Sequence, residues 1–191
     1  LEINKTNTTD VVNATGAWTV TNSLLLTRGT WNASTFTHSI AGAWNSSAAA
    51  FTFNAGTSTI TLSSLNPNIT TKGLGTQPFY LLSLNNGGVL LSSVQVDQNL
   101  SIAGVLNTND AANLTVAGSI LGTGTLQGLA GGLQELISVG ANFTVATYTA
   151  NATKLLLSGA TQPVSVGSYS FYDLEVNKTN TTDVVNATGA W

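Results

Sequence analysis

The sequence predicts an all-β protein, a parallel β-solenoid (β-helix) built of tandem repeats. Three observations carry that expectation. The same segment stands at both ends of the chain, a Gly-x-Trp triplet recurs at constant spacing, and short stretches alternate strictly between apolar and polar residues.

Residues 1–18 read LEINKTNTTDVVNATGAW and residues 174–191 read LEVNKTNTTDVVNATGAW, with Ile3 against Val176 the one difference. The step from Leu1 to Leu174 defines the large repeat. Folding pressure alone does not write one stretch of this length twice. The two are the same part of successive repeats, and a repeat dictates the fold before any local signal does. Leu1 is not Met and Trp191 stops in mid-pattern, so the chain is expected to be an excerpt of an array continuing in both directions.

A weaker correspondence divides the large repeat. FYLLSL at residues 79–84 matches FYDLEV at 171–176, and each follows a Gln-Pro pair, at residues 77–78 and 162–163. FTF at 51–53 answers FTV at 143–145, and ITLS at 60–63 answers LLLS at 155–158. The organisation is therefore read as a first half-repeat over 1–78, continuing from upstream, a second over 79–170, and the start of the next 173-residue repeat at 171–191. A Gly/Leu-rich insertion near 121–136 has Leu126, Leu129, Leu133 and Leu136 at helical spacing, interrupted by glycines. A short helix and a Gly-rich loop both fit it.

The triplets begin at Gly16, Gly29 and Gly42, and Gly104 and Gly118 are their counterparts at nearly the same spacing. Between them the pattern alternates, as in FTFN at 51–54 and LTVA at 114–117. Such alternation marks strands with one buried face, and Thr and Val suit a pleated surface. Asn-Gly-Gly at 86–88 and Asn-Ala-Gly at 54–56 read as turns that need positive φ. A string of Ig-like β-sandwiches, one per half-repeat, is the alternative. It accounts for the half-repeat length but leaves the Gly-x-Trp spacing without a cause.

Composition narrows function. Only 7% of residues are charged and the net charge is −3, whereas about 25% is ordinary for a soluble domain. With 42% hydrophobic residues a continuous core is feasible, and disorder, which needs low hydrophobicity and high net charge, is not indicated. Zero Cys excludes disulfides, thiolate catalysis and Cys-ligated metals. Five basic residues give no stripe for phosphate, so nucleic acid is not an expected partner. No apolar run approaches the roughly 20 residues that span a bilayer.

The succession FY-x-L, alternating strands, G-x-W and FTFNAGTSTITL resembles the tandem β-strand-repeat segments of giant secreted or surface structural and adhesin-like proteins of bacteria and archaea. The resemblance covers essentially the whole chain. It implies an extracellular, cell-surface filament, sheath, stalk or adhesin, and it carries over no site residues.

Chemistry-bearing residues are sparse. The acids Glu2, Asp10, Asp97, Asp110, Glu135 and Asp173 stand singly, whereas glycan-cleaving solenoids need paired carboxylates. Asp10 and Asp110 fall in turns, where such side chains satisfy local backbone. His38, in the strand-like TFTHSI of 35–40, is the one histidine and is expected to face solvent. No nucleotide-binding, zinc-protease or nucleophile-elbow motif occurs. The regularly placed Trp read as core or turn packing ahead of sugar stacking. No enzyme activity, cofactor or metal is expected.

One motif is in excess: 13 of the 20 Asn lie in Asn-x-Ser/Thr. Those at Asn99 and Asn113 arise where alternation itself places Asn before a strand, and Asn142 also carries the motif. The glycosylation candidates are Asn4, Asn7, Asn13, Asn32, Asn45, Asn68, Asn151, Asn177, Asn180 and Asn186. The expected function is a structural repeat of an extracellular fibre, sheath or stalk. Its partners would be neighbouring repeats, covalent N-glycans and laterally associated identical chains. An adhesin that recognises glycans or a partner cell surface is the alternative. An ice-binding face would need a Thr-x-Thr on every coil, and those at 35–37, 57–59, 123–125 and 147–149 are irregularly spaced.

Overall fold

The computed structural model describes residues 1–109, 112–130, 133–160 and 164–191. Among them there is no helix, and every strand pairing is parallel. The chain winds as a β-solenoid, and each coil lays strands on up to three faces in turn. Coils differ in length: the turn from Leu82 to Leu100 is short, and the turn from Trp44 to Ile69 is longer.

The first face is continuous over nine levels: Thr19–Val20, Thr37–Ile40, Thr59–Leu62, Leu81–Leu84, Leu100–Ile102, the first part of Ile120–Gln127, the first part of Phe143–Thr149, Val164–Val166 and Val185–Ala187. The alternation of residue types sets its register. His38, Ile60, Leu82, Leu100, Ile120, Phe143 and Val166 stand one above another inside the core. Val20, Ile40, Leu62, Leu84 and Ile102 form a second inward column. A slip of one residue would turn both columns to water, so the buried face fixes the pairing.

The second face carries Glu2–Asn4, the start of Leu24–Asn32, Trp44–Asn45, Asn68–Thr70, Gly88–Leu90, Val105–Asn107 and the ends of the two long strands that turn the corner from the first face. The third face is split. Val11–Asn13, the end of Leu24–Asn32 and Phe51–Asn54 make its lower stack. Val94–Val96, Leu114–Val116, Glu135–Val139, Thr153–Leu157 and Asp173–Val176 make the upper one. Residues 71–78 cross the gap without a strand. There the uppermost carbonyl groups of the lower stack take side-chain donors. The Lys72 ammonium donates to Ala49 O at 3.0 Å and to Phe51 O, and Gln77 Nε2 donates to Phe51 O at 2.7 Å. Unpaired buried carbonyls are costly, and these two side chains replace the missing strand.

The Gly-x-Trp spacing has a simple cause. Gly16 lies at a corner from third to first face, Gly29 from second to third, and Gly42 from first to second. The spacing is two of the three faces, not a whole coil. Each triplet therefore marks a different corner, and the three Trp enter the core from three sides. Trp18 and Trp31 stack with centroids 5.0 Å apart, and Trp31 and Trp44 lie 6.0 Å apart. Phe53 and Phe79 extend this cluster upward.

Some corners demand glycine. Gly87 and Gly104 sit at successive first-to-second corners with φ of 82° and 92°. A Cβ on Gly87 would collide with the backbone of Val105, and one on Gly104 with Asn86 and Gly87. The turns expected at Gly87 and Gly56 do have positive φ. The insertion near 121–136 is neither of the forms expected for its whole length. It continues a strand to Gln127 and re-enters a strand at Glu135. The second Gln-Pro pair, at 162–163, lies outside the described residues.

The terminal copies do not occupy equivalent places. Glu2–Asn4 lies on the second face and Val11–Asn13 on the third, but their copies Asp173–Val176 and Val185–Ala187 lie on the third and first. One repeat therefore advances the winding by eight coils and one face. The half-repeat matches also change face: residues 51–53 are on the third, 143–145 on the first.

The columns predict a sharp contrast in denaturant titrations. Trp44→Ala, at a fully buried position, should cost about 3–5 kcal/mol. Thr61→Ala, on the outer side of the first face, should stay within about 0.5 kcal/mol. Similar losses for the two would contradict the register.

Candidate functional site

The sequon asparagines separate by what their side chains do. Asn13 and Asn32 stack with Asn54, which lies outside the motif, in an amide ladder on the outer side of the third face. Asn32 Nδ2 donates to Asn13 Oδ1 at 2.6 Å, and Asn54 Nδ2 donates to Asn32 Oδ1 at 2.8 Å. Asn45 Oδ1 accepts from the Ser47 backbone N–H at 3.1 Å and its hydroxyl at 2.8 Å. Asn151, at φ 46°, donates to Gly128 O. Asn99, Asn113 and Asn142 bridge coils: their Oδ1 atoms accept the backbone N–H groups of Ser119, Leu136 and Ser165 at 2.8–2.9 Å. Asn4, Asn7, Asn68, Asn177, Asn180 and Asn186 are exposed. Of these, Asn180 Nδ2 lies 3.3 Å from Asp183 Oδ1. Part of the sequon excess thus comes from corner chemistry, because an Asn amide reaches the next coil where the strand ladder lapses.

The acids also act locally. Asp10 accepts from the Asn7 N–H at 3.1 Å, and its copy Asp183 does the same for Asn180. Glu2 accepts from Thr27 at 2.9 Å, Asp97 from Gln95 at 2.8 Å, and Asp173 from Gln134 at 3.3 Å. Glu175 pairs with Lys154 at 2.5 Å on the third face. Their hydrogen bond holds the carboxyl below and the ammonium above their ordinary values. The pair is open to solvent, so its effect is screened. Asp110 lies outside the described residues.

Glu135 is the exception that sequence reading missed. It is 2% exposed and takes a hydrogen bond from the Thr108 hydroxyl. Nearby, Tyr148 OH and Thr153 Oγ1 are 2.6 Å apart, and Thr153 donates to Ala150 O at 2.5 Å. Thr108, Glu135 and the Tyr148–Thr153 segment come from three successive coils, so no local motif announces the cluster. Burial first, and then the Glu135 charge, push the Tyr148 phenol up, against an opposing pull from the Thr153 hydrogen bond. Among the described residues no group of three His, Asp or Glu gathers as metal ligands would.

His38 does not face solvent. It is fully buried, its Nδ1 accepting from the Trp18 N–H at 3.2 Å and its Nε2 donating to Ala33 O at 2.9 Å. This is the neutral Nε2–H tautomer with both nitrogens satisfied, edge-on to Trp31. The cause is parity: His38 shares its side of the strand with Ile40, while Thr37 and Ser39 point out. Trp31 and Trp44 are core, Trp18 is half-buried, and Trp191 is exposed.

The clearest concave feature among the described residues is an open groove of about 400 Å³ beside Tyr148, Asn151, Phe171 and Tyr172. It lies where pairing of the last long strand with the coil above stops after Phe143. No protein-family model matches the chain, and no curated protein or solved structure matches it either. The reading of function therefore rests on the geometry alone. Among the described residues no helix is long and apolar enough to cross a membrane.

Two measurements follow. Mass spectrometry of native material should find glycans at Asn4, Asn7 and Asn68 and bare peptides at Asn32, Asn45, Asn99, Asn113, Asn142 and Asn151; the reverse pattern would contradict the division. Burial also pushes the Tyr169 phenol above its ordinary 10.0. A phenol raised in the folded state stabilises it below the unfolded value, and that contribution is lost as pH climbs through the raised one. Stability should therefore fall above about pH 10, and fall less in a Tyr148→Phe, Tyr169→Phe variant compared with its own neutral-pH value.

Proposed function

We propose that the chain is a structural repeat of an extracellular fibre, sheath or stalk, whose task is mechanical. The observation that carries this is the unbroken first face: nine stacked levels with inward columns that are apolar almost throughout. In such a stack the backbone hydrogen bonds run along the rod axis and each coil supports only its neighbours. At about 4.8 Å per level, one 173-residue repeat adds about 40 Å of rod. Covalent repetition turns that increment into length without any new interface. N-glycans on the exposed Asn would add hydration to a surface with few charges.

The second reading is an adhesin, favoured by the groove and by Tyr172, which is 65% exposed beside it. Aromatic faces suit sugar rings. Against it stands Phe79, the counterpart of Phe171 in sequence, which is buried and pairs with Val96 of the next coil.

Negative-stain imaging of native material, with solution scattering of chains of increasing repeat number, separates the readings. Unbranched rods lengthening by about 40 Å per repeat support the fibre. Short stalks ending in a distal head that binds a glycan array would overturn it.

A further inference from the structure

The outer side of the first face carries a column of hydroxyl groups. One column runs through Thr19, Ser39, Thr61, Ser83 and Ser101, a hydroxyl on five successive coils, and resumes at Thr144 after Leu121. Beside it a parallel column begins with Thr37 and Thr59. No described strand of this face contains a charged residue, although Arg28, Glu135, Lys154 and Glu175 all lie within strands of the other two. The sequons that open onto it at Asn99 and Asn142 have their amide oxygens tied to the next coil. The exposed Asn4 and Asn68 end or occupy second-face strands, and Asn186 reaches the first face only at its last level.

We propose that this face is a lateral seam that receives the same face of a second copy of the chain. Charge depletion is what the centre of a protein interface requires, and on this face it runs unbroken through all nine levels, whereas the second face begins with Glu2 and Arg28 and the third ends with Glu135, Lys154, Asp173 and Glu175. Commensurability selects the partner. A second copy has the same spacing of about 4.8 Å between levels, so a hydroxyl row meeting its twin stays matched at every coil, as small polar side chains interdigitate between stacked sheets. A crystalline saccharide or an ice surface would have to match that spacing by coincidence.

Size sets the strength. Eight intervals of about 4.8 Å and a width of about 10 Å bury about 800 Å² in total over the two copies. That is below the roughly 1,000 Å² expected of a stable complex, so the 191-residue chain should associate weakly and reversibly. The seam rests on the fibre reading for its use, since only a rod needs lateral partners.

Sedimentation equilibrium of the 191-residue chain tests it, with a doubly substituted variant, Thr61→Lys and Ser83→Lys. A control places Val89→Lys and Asn107→Lys on the outer side of the second face at the same vertical spacing. Circular dichroism confirms that each variant folds. The wild type should reach a weight-average mass about 1.5 times that of the monomer near 1 mM, as a dissociation constant of about 1 mM, or about −4 kcal/mol, requires. The first-face variant should raise the dissociation constant at least tenfold and the control less than twofold. A wild type that stays monomeric, or a control as damaging as the seam variant, overturns the proposal. Thermal hysteresis or binding to insoluble polysaccharide by a monomeric wild type would overturn it in favour of those surfaces. In each case, rods intact by imaging would leave the fibre reading standing.

Discussion

Everything in this structure depends on vertical register: each inward side chain must stand on its counterpart one coil below. That constraint acts on positions and leaves coil length free. The chain turns quickly from Leu82 to Leu100 and takes a longer path from Trp44 to Ile69, yet the ladders on either side remain in line. The differences are absorbed at corners, where the backbone leaves the ladder and needs other partners. Glycines serve where two corners press together, as at Gly87 and Gly104. Asn and Ser serve where a coil must be tied to the next, as in Asn99 to Ser119, Ser119 to Asn142 and Asn142 to Ser165.

This division of labour explains a surface with so few charges. Polar side chains are largely engaged with backbone or with their own kind one level away, as in the amide ladder on the third face. Lysine follows the same logic. The Lys178 ammonium donates to Gly140 O at 3.1 Å and Ser158 O at 2.5 Å, capping two levels at once, and burial lowers its affinity for a proton. Lys72 does so at the gap in the third face. Here cations act as donors for orphaned carbonyl groups.

The fold class was legible because alternation reports directly on which side of a strand faces the core. FTFN at 51–54 and LTVA at 114–117 became strands with the expected faces buried. The burial of His38 follows from the same parity and runs against its residue type, since its place beside Ile40 outweighs its polarity once both ring nitrogens find partners. The Gly-x-Trp spacing pointed to a solenoid, but as two faces of a three-faced coil. The number of faces must be known before that fraction can be recognised. The break at 71–78 and the Glu135 cluster were not legible. Both depend on which residues meet across coils of unequal length, and a corner can gain residues without altering any local pattern. The sequons are visible in the sequence but not separable there, because the free and the engaged Asn share one motif and differ only in what lies above them.

The shift of the terminal segment from second to third face has a geometric consequence. If successive repeats follow the same rule, any feature drawn on one side of the rod returns to that side only at every third repeat, and the intervening copies point in the other two directions. A rod of this kind has no front and back. Its surface features climb it like a three-step spiral stair, and rods that touch through such features are led toward a packed bundle and away from a flat ribbon.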